Sequence, residues 1–149
     1  MALQWHDRAF GDLTVAELYA IVRLRQRVFV VEQTCVYLDA DGIDPLCRHL
    51  WAEDGAIAAY LRIVPPGASY PEVSIGRVIT APEARGSGLG RELMRRGLAA
   101  VRAHHGDVAI RIGAQAHLEK FYGDFGFTRI SDVYDEDGIP HVYMLRAPG

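Results

Sequence analysis

The chain has 149 residues, a net charge of −3 and a hydrophobic content of 50%, which predicts a single domain over residues 1–149 with a full core. The acidic balance argues against a general nucleic-acid binder, since such proteins present a basic face. No apolar run approaches the roughly 20 residues that span a membrane, and no secretion signal is recognisable. We therefore expect a cytoplasmic protein with no membrane or nucleic-acid partner.

A strand and a capped helix are predicted first. Residues 5–10 resemble a short strand. Thr14 and Glu17 have the spacing of a capping box, and the apolar spacing behind them predicts a helix from about Val15 to Val30. We expect its arginines to be solvated, although one could face an anionic ligand; they are Arg23, Arg25 and Arg27.

The segment from Glu32 to Arg48 has little periodicity and is predicted to be a long loop. Its Asp-x-Asp-Gly run suggests a calcium loop that starts at Asp39. The EF-hand pattern needs Gly at the sixth position and Glu at the twelfth, where Asp44 and Leu50 stand. We reject that site and expect no metal.

Two cysteines, Cys35 and Cys47, lack a Cys-x-x-Cys spacing. That pattern favours free thiols over a disulfide framework or a zinc site. An unpaired Cys behaves as a small hydrophobic residue, so we expect both in or near the core.

A hairpin, a central strand and a long helix follow. The hairpin joins residues 49–52 to 57–64 through an Asp-Gly turn. The central strand covers Val73 to Thr80, and helical spacing runs from Arg91 to His104. Gly106 is the expected left-handed cap.

The C-terminal third is predicted to contain three strands and a helix. The strands cover residues 108–112, 127–134 and 141–145, and the helix runs from Ala116 to Phe125, where Gly126 ends it. Strands and helices alternate in the middle of the chain, whereas hairpins lie at its ends. The expected class is α/β, with a mixed sheet and flanking helices.

A glycine loop from Arg85 to Gly90 lies between the central strand and the long helix. Glycines let a backbone approach a ligand, and the first N–H groups of a helix can bind an anion. The same glycines could also form a simple tight turn. The dinucleotide fingerprint needs Gly where Arg91 stands, and the Walker loop needs Lys and then Ser or Thr, where the chain has Arg91 and Glu92. Neither motif fits.

Arginines form a predicted stripe on the helix after this loop. At 100° per residue, Arg91, Arg95 and Arg102 fall within about 40° of one another. Such a stripe could bind phosphate groups or could simply be a solvated helix face.

The glycine loop resembles the pyrophosphate loop of the GNAT acetyltransferases, Arg/Gln-x-x-Gly-x-Gly/Ala, through Arg85, Gly88 and Gly90. Residues 121–127 are similar to that family's late helix and strand, in which a tyrosine, here Tyr122, lies near the coenzyme sulfur. The resemblance implies a GNAT-like acyl-CoA acyltransferase fold and acetyl-CoA as acyl donor. The residues it assigns to the coenzyme are Val78, Ile79, Arg85, Gly86, Ser87, Gly88, Leu89, Gly90 and Arg91.

Further segments resemble the bacterial ElaA-like branch of this family. They are residues 25–33, 39–42, 48–49, 113–117 and 137–141. Together they extend the resemblance from about Leu18 to Met144. The glycine loop is specific to the superfamily, whereas these segments are specific to the branch.

The resemblance implies an N-acetyltransferase in which a primary amine attacks the thioester directly in a ternary complex. A backbone N–H near Val78 or Ile79 would polarise the carbonyl, and Tyr122 would be the general acid. An aromatic run at a helix end can also simply pack the core. The general base is open among His49, His117, His141, Glu32 and Glu72; His117 is our first choice because it lies close to Tyr122 in sequence.

The acceptor is expected to be a small-molecule or peptide amine. Acidic residues at 39–44 and 135–137 could attract a cationic amine, although exposed acidic turns need no ligand. The sequence is also compatible with a homodimer. The alternative function is a non-catalytic acyl-CoA-binding module that keeps the glycine loop and does not use Tyr122.

Overall fold

A computed structural model describes residues 2–149, which form eight strands and three α-helices. The strands are β1 (Gln4–Ala9), β2 (Arg48–Asp54), β3 (Ala56–Val64), β4 (Ser74–Thr80), β5 (Ile110–Gln115), β6 (Thr128–Arg129), β7 (Tyr134–Glu136) and β8 (Ile139–Arg146). The helices are α1 (Val15–Arg25), α2 (Leu89–His105) and α3 (Glu119–Gly123). Among these residues, no helix has both the length and the apolar character that a membrane crossing requires.

The strands form two antiparallel sheets. One has the order β1-β2-β3-β4, and in the other β8 pairs with β5, β6 and β7. A parallel bridge between Val73 and Ile110 connects them, so the predicted mixed sheet is confirmed. Helix α2 packs its Leu93 and Met94 with β3 in the larger core, and α1 packs Ile21 and Leu24 with the β2 and β3 aromatics in the smaller one.

The first helix begins as predicted and changes geometry near its end. Thr14 and Glu17 form both hydrogen bonds of the capping box, of 3.1 and 2.8 Å. After Arg25 the chain continues as a π-helical turn, Gln26–Glu32. Turns of this kind are frequent at functional sites.

Two predicted C-terminal elements are shorter than expected. The predicted helix 116–125 is a 3-10 turn followed by the five-residue α3. The predicted strand 127–134 is divided into β6 and β7, because the hydroxyl of Ser131 accepts the Tyr143 N–H at 2.9 Å in place of a backbone carbonyl. The Ile130 N–H still donates to the Tyr143 carbonyl at 2.9 Å, and the chain leaves the ladder after it.

Two local predictions about glycines differ in outcome. Gly126 ends the helical segment with φ +91°, as predicted. Gly106 has φ +82° and ψ −165°. The positive φ still favours glycine, but the predicted left-handed helical cap is wrong.

Six charged side chains form a closed ring, which we call the ion-pair ring, between the long loop and the first sheet. Each arginine binds two aspartates: Arg25 binds Asp39 (2.8 Å) and Asp44 (2.6 Å), Arg62 binds Asp44 (2.8 Å) and Asp41 (2.6 Å), and Arg77 binds Asp39 (2.7 Å) and Asp41 (3.4 Å). Three positive and three negative charges cancel. The ring joins residues 39–44 to α1, β3 and β4.

Burial makes this ring sensitive to the loss of any member. The side chains of Arg25 and Arg62 are only 2% and 5% exposed, so the prediction that Arg25 is solvated is wrong. Burial opposes ionisation of Asp44, but hydrogen bonds from Arg25 and Arg62 outweigh it and lower the pKa of the carboxyl. Burial likewise opposes the charge on Arg25, and its bond to Asp44 raises the guanidinium pKa above the ordinary range.

We predict that Asp44→Asn lowers the free energy of unfolding by about 3 kcal/mol, because three arginines then face only two aspartates and one buried positive charge is uncompensated. The matched control is Glu83→Gln, which breaks the exposed pair of Glu83 with Arg27 and should change stability little. Urea denaturation of both variants measures the difference. Equal, small effects of the two substitutions would contradict a structural role for the ring.

The same carboxyl should make stability depend on pH. The pKa of Asp44 lies below its ordinary value of 3.8 in the folded protein, so its contribution is fully present above the unfolded pKa and is lost as pH falls through the folded one. The advantage of the wild-type protein over Asp44→Asn should therefore be constant from about pH 7 to 5 and shrink below about pH 4. Urea denaturation of both proteins across that pH range tests whether the stability difference shrinks in acid.

Candidate functional site

The two sheets separate where β4 and β5 meet. Ile110 bridges Val73, and the Arg111 N–H donates to the Val73 carbonyl at 2.9 Å. Further along, β4 carries a β-bulge: its register with β3 shifts between Tyr60 and Arg62, and Arg77 has φ +53°. Two cavities lie in the resulting gap, and Val78, at the bulge, lines both of them.

The first cavity, which we call the loop cavity, lies beside the glycine loop and has a volume of about 480 Å³. Val78, Ile79 and Thr80 of β4 form one side, and Phe29 and Glu32 of the π-helical turn form another. Arg85, Gly90, His117 and Tyr122 complete much of the lining. The cavity therefore runs from the start of α2 to the buried tyrosine.

The backbone of the glycine loop is open to a ligand. Gly86 and Gly88 have φ +85° and +78°, and a Cβ at either position would meet no atom within 4 Å. Gly88 precedes α2, whose first bond runs from the Glu92 N–H to the Gly88 carbonyl at 3.3 Å. The amides just after Gly88 thus have no partner within the helix and carry its positive dipole end. This geometry fits an anionic phosphate group.

The arginines near the loop are engaged with carboxylates. Arg85 forms two hydrogen bonds with Glu32, of 2.7 and 2.8 Å, and a further one with the Thr80 carbonyl. Arg91 pairs with Asp124 at 3.0 Å. Arg95 and Arg102 are also paired, with Glu92 and Asp107. Backbone amides, rather than free guanidinium groups, are the open donors of this loop.

Tyr122 contacts both cavities. Its side chain packs edge-on against Phe121 and Phe127, with ring centroids 5.2 and 6.1 Å away. Burial raises the pKa of Tyr122 to about 12. The hydroxyl is therefore protonated at neutral pH and is able to donate a proton.

The second cavity, which we call the inner cavity, also contacts Tyr122 and has a volume of about 140 Å³. Its polar lining includes Gln33, Cys35, Tyr37, Arg77, Gln115, Glu136, Asp137 and His141. The Cys35 thiol donates to the Asp137 carbonyl at 3.4 Å, which closes the cavity between the long loop and the β7–β8 turn. Cys35 and Cys47 are free and buried, as predicted.

The structure separates the predicted proton acceptors. His117 is exposed and contacts the loop cavity, and Glu32 at the same cavity is paired with Arg85. His49 is fully buried between the Tyr60 hydroxyl (2.7 Å) and the Asp44 carbonyl (3.1 Å), and burial lowers its pKa. Glu72 lines neither cavity, whereas His141 lines the inner one.

The sequence interpretation missed several lining residues. Phe29 and Gln33 contact both cavities because the chain follows the π-helical turn, which an ordinary helical pattern does not predict. Arg77 was also missed, whereas Glu136 belongs to the acidic residues 135–137 that were expected to attract a cationic amine. The signal for some of these positions was the resemblance to the ElaA-like branch at residues 25–33 and 137–141.

Comparison with known proteins gives a consistent result over nearly the whole chain. Residues 47–147 match the family model described as an acetyltransferase (GNAT) domain. Protein ElaA of Escherichia coli is 43% identical over 148 residues, covering 97% of this chain and 96% of ElaA. The UPF0039 protein sll0451 of Synechocystis is 41% identical over 147 residues, covering 97% and 96%.

Solved structures agree with this similarity. The crystal structure of an acyl-CoA N-acyltransferase from Pseudomonas aeruginosa is similar with a TM-score of 0.94 and 46% identity, covering 98% of this chain and all of that one. The crystal structure of Escherichia coli ElaA gives a TM-score of 0.92 and 41% identity, covering 97% and 99%. These similarities support an acyltransferase with an acyl-CoA donor. The chain belongs to the GNAT acetyltransferase family, within its ElaA-like branch.

Proposed function

We propose that the protein is an N-acetyltransferase that transfers the acetyl group of acetyl-CoA to a primary amine by direct attack in a ternary complex. The observation that carries this proposal is the position of Tyr122, a protonated phenol on the shared wall of two cavities. The loop cavity is assigned to the acyl donor and the inner cavity to the amine. Direct transfer requires donor and acceptor to meet at one point, and the two cavities meet at Tyr122.

The donor assignment rests on the backbone of residues 86–91. Open amides at the start of a 17-residue helix suit a pyrophosphate, and the loop cavity leads from them toward Tyr122. Acetyl-CoA supplies the activated acyl group. The assigned contacts remain Val78, Ile79, Arg85, Gly86, Ser87, Gly88, Leu89, Gly90 and Arg91, with Arg85 and Arg91 acting from the rim.

The protein would contribute alignment and proton transfer. A backbone N–H near Val78 or Ile79 polarises the acyl carbonyl, because the edge of β4 is unpaired where the sheets separate. Tyr122 protonates the departing sulfur. Val78 contacts both cavities, so its backbone lies where the donor and acceptor would react.

The remaining expectations stay predictions. Two buried free thiols fit a reducing compartment such as the cytoplasm. A small-molecule or peptide amine is the expected acceptor class. A homodimer also stays a prediction.

The proposal is tested by calorimetric titration with acetyl-CoA, CoA and NAD, followed by release of free thiol against a panel of primary amines. We expect binding of both coenzyme A forms, no binding of NAD, and amine-dependent thiol release. Binding without release from any amine would favour the non-catalytic acyl-CoA-binding module. Absence of coenzyme binding would overturn the assignment of the glycine loop.

We predict that Tyr122→Phe lowers kcat about 100-fold near neutral pH, within the range for loss of a general acid. The ring and its contacts with Phe121 and Phe127 are retained, so acetyl-CoA affinity should change only a few-fold. Steady-state kinetics and calorimetry on the same preparation measure the two quantities. Unchanged turnover would remove Tyr122 from the acid role.

We predict that Gly88→Asp abolishes measurable acetyl-CoA binding, because it places a carboxylate where the pyrophosphate is assigned. Gly88→Asn is the matched control: it has the same shape and tolerates the positive φ similarly, but it lacks the charge. The aspartate variant should bind acetyl-CoA at least about tenfold more weakly than the asparagine variant. Equal affinities would place the phosphates elsewhere.

A further inference from the structure

We infer that Nε2 of His141, supported by Glu136, accepts the proton that the acceptor amine must lose before it attacks. The inference rests on the proposed function and deepens it, because it names the acceptor as a primary ammonium ion that is deprotonated inside the inner cavity. His141 is 7% exposed and lines that cavity, which Tyr122 lines as well.

Placement favours His141 over the other proton acceptors of the chain. His117 and Glu32 contact the loop cavity, where the acyl donor would lie. His49 is fully buried and bonded through both ring nitrogens. A group that deprotonates the acceptor must reach it directly or through one water, and His141 is positioned to do so.

Hydrogen bonding sets the tautomer of His141. Its Nδ1 lies 2.7 Å from the Ile139 carbonyl oxygen. A carbonyl oxygen can only accept, so Nδ1 must carry the proton. The neutral ring therefore has its lone pair on Nε2, the nitrogen that a base needs.

Glu136 is placed to stabilise the protonated ring. Its Oε2 lies 3.3 Å from Nε2 of His141, and its side chain is 56% exposed at the edge of the inner cavity. The two residues lie on neighbouring strands, beside the two-residue turn of Asp137 and Gly138. The contact becomes an ion pair only when the ring has accepted a proton, and the exposed carboxylate then gives that proton a route to solvent.

Most other ionisable groups around His141 are engaged with partners of their own. Arg77 is a cation held by Asp39 and Asp41. The Tyr37 hydroxyl donates to Asp39, and the Cys35 thiol donates to the Asp137 carbonyl. Tyr134 packs its ring against His141 at 5.8 Å. The remaining groups facing this site are Tyr122, the assigned acid, and the exposed carboxylate of Asp137.

His141 and Tyr122 together account for every proton that moves during the transfer. The ammonium gives one proton to Nε2 of His141, the amine nitrogen bonds to the acyl carbon, and the carbon–sulfur bond breaks. Tyr122 protonates the sulfur, and the second proton lost by the nitrogen restores the phenol. The proton on His141 then passes to solvent beside Glu136, so each turnover releases one proton.

The decisive variant is His141→Asn, whose side-chain amide can keep the bond to the Ile139 carbonyl while Nε2 is lost. With putrescine, spermidine and a lysine-bearing peptide as acceptors, we expect kcat/KM to fall about 100-fold near pH 7 and acetyl-CoA affinity to change less than about two-fold. The difference in kcat/KM between the wild-type protein and His141→Asn should become smaller as pH rises, because the fraction of free amine grows about tenfold per pH unit below the amine pKa. A merely structural defect would not recover in this way.

Two comparisons sharpen the test. His104→Gln alters an exposed histidine that pairs with Asp7 and should leave the pH profile unchanged. Long-range nitrogen NMR of the ligand-free protein should show that the neutral form of His141 carries its proton on Nδ1. If NMR instead shows the proton on Nε2, the inference is wrong, whatever the activity of the variants.

The outcomes separate the two proposals. If His141→Asn leaves turnover intact, His141 is not the base. The same conclusion follows if only His117→Gln shows the pH-dependent loss. Either result leaves the transferase proposal standing. Absence of turnover by the wild-type protein with every acceptor would overturn the proposed function and the base role together.

Discussion

The ion-pair ring is the constraint on which the shape of the site depends. The long loop has few strands or helices of its own, and Asp39, Asp41 and Asp44 attach it to three arginines from α1, β3 and β4. Desolvation of such charges offsets most of their mutual attraction, so the ring contributes less to net stability than its six contacts suggest. Its main effect is geometric, because the contacts attach one loop to three separate elements and removal of any member leaves a charge in the ring uncompensated.

The ring and the bulge in β4 act at the same residue. Arg77 has φ +53° and donates from Nε to Asp39 at 2.7 Å. Without the bulge its side chain would follow the regular alternation of the strand, and the loop would lose one of its three attachments. With the bulge present, the neighbouring Val78 faces the gap between the sheets and contacts both cavities. A local irregularity of one strand therefore positions both the loop and the proposed reaction centre.

Features encoded by neighbouring residues were predictable, whereas features that need distant partners were not. The capping box at Thr14, the hairpin and the glycine loop depend on contacts within a few residues, and each occurs where the sequence predicts it. The burial of Arg25 depends on Asp39 and Asp44, which lie 14 and 19 positions away, and a helical pattern cannot reveal such partners. The interruption of the strand at Ser131 depends on a single hydroxyl that replaces a carbonyl, and the π-helical turn leaves no distinct periodicity.

This difference explains why the donor was easier to infer than the acceptor. The proposed coenzyme site consists largely of backbone amides in one segment, residues 85–91, whose glycine spacing is visible in the sequence. The inner cavity combines Cys35, Arg77, Gln115 and His141 from four separate segments. The proposed base, His141, contacts a carbonyl two residues away and a carboxylate on the neighbouring strand. His117 was favoured by its sequence distance from Tyr122, and both residues line the loop cavity, which we assign to the acyl donor. His141, 19 positions further along the chain than Tyr122, lines the inner cavity instead, so proximity along the chain does not decide which cavity a histidine contacts.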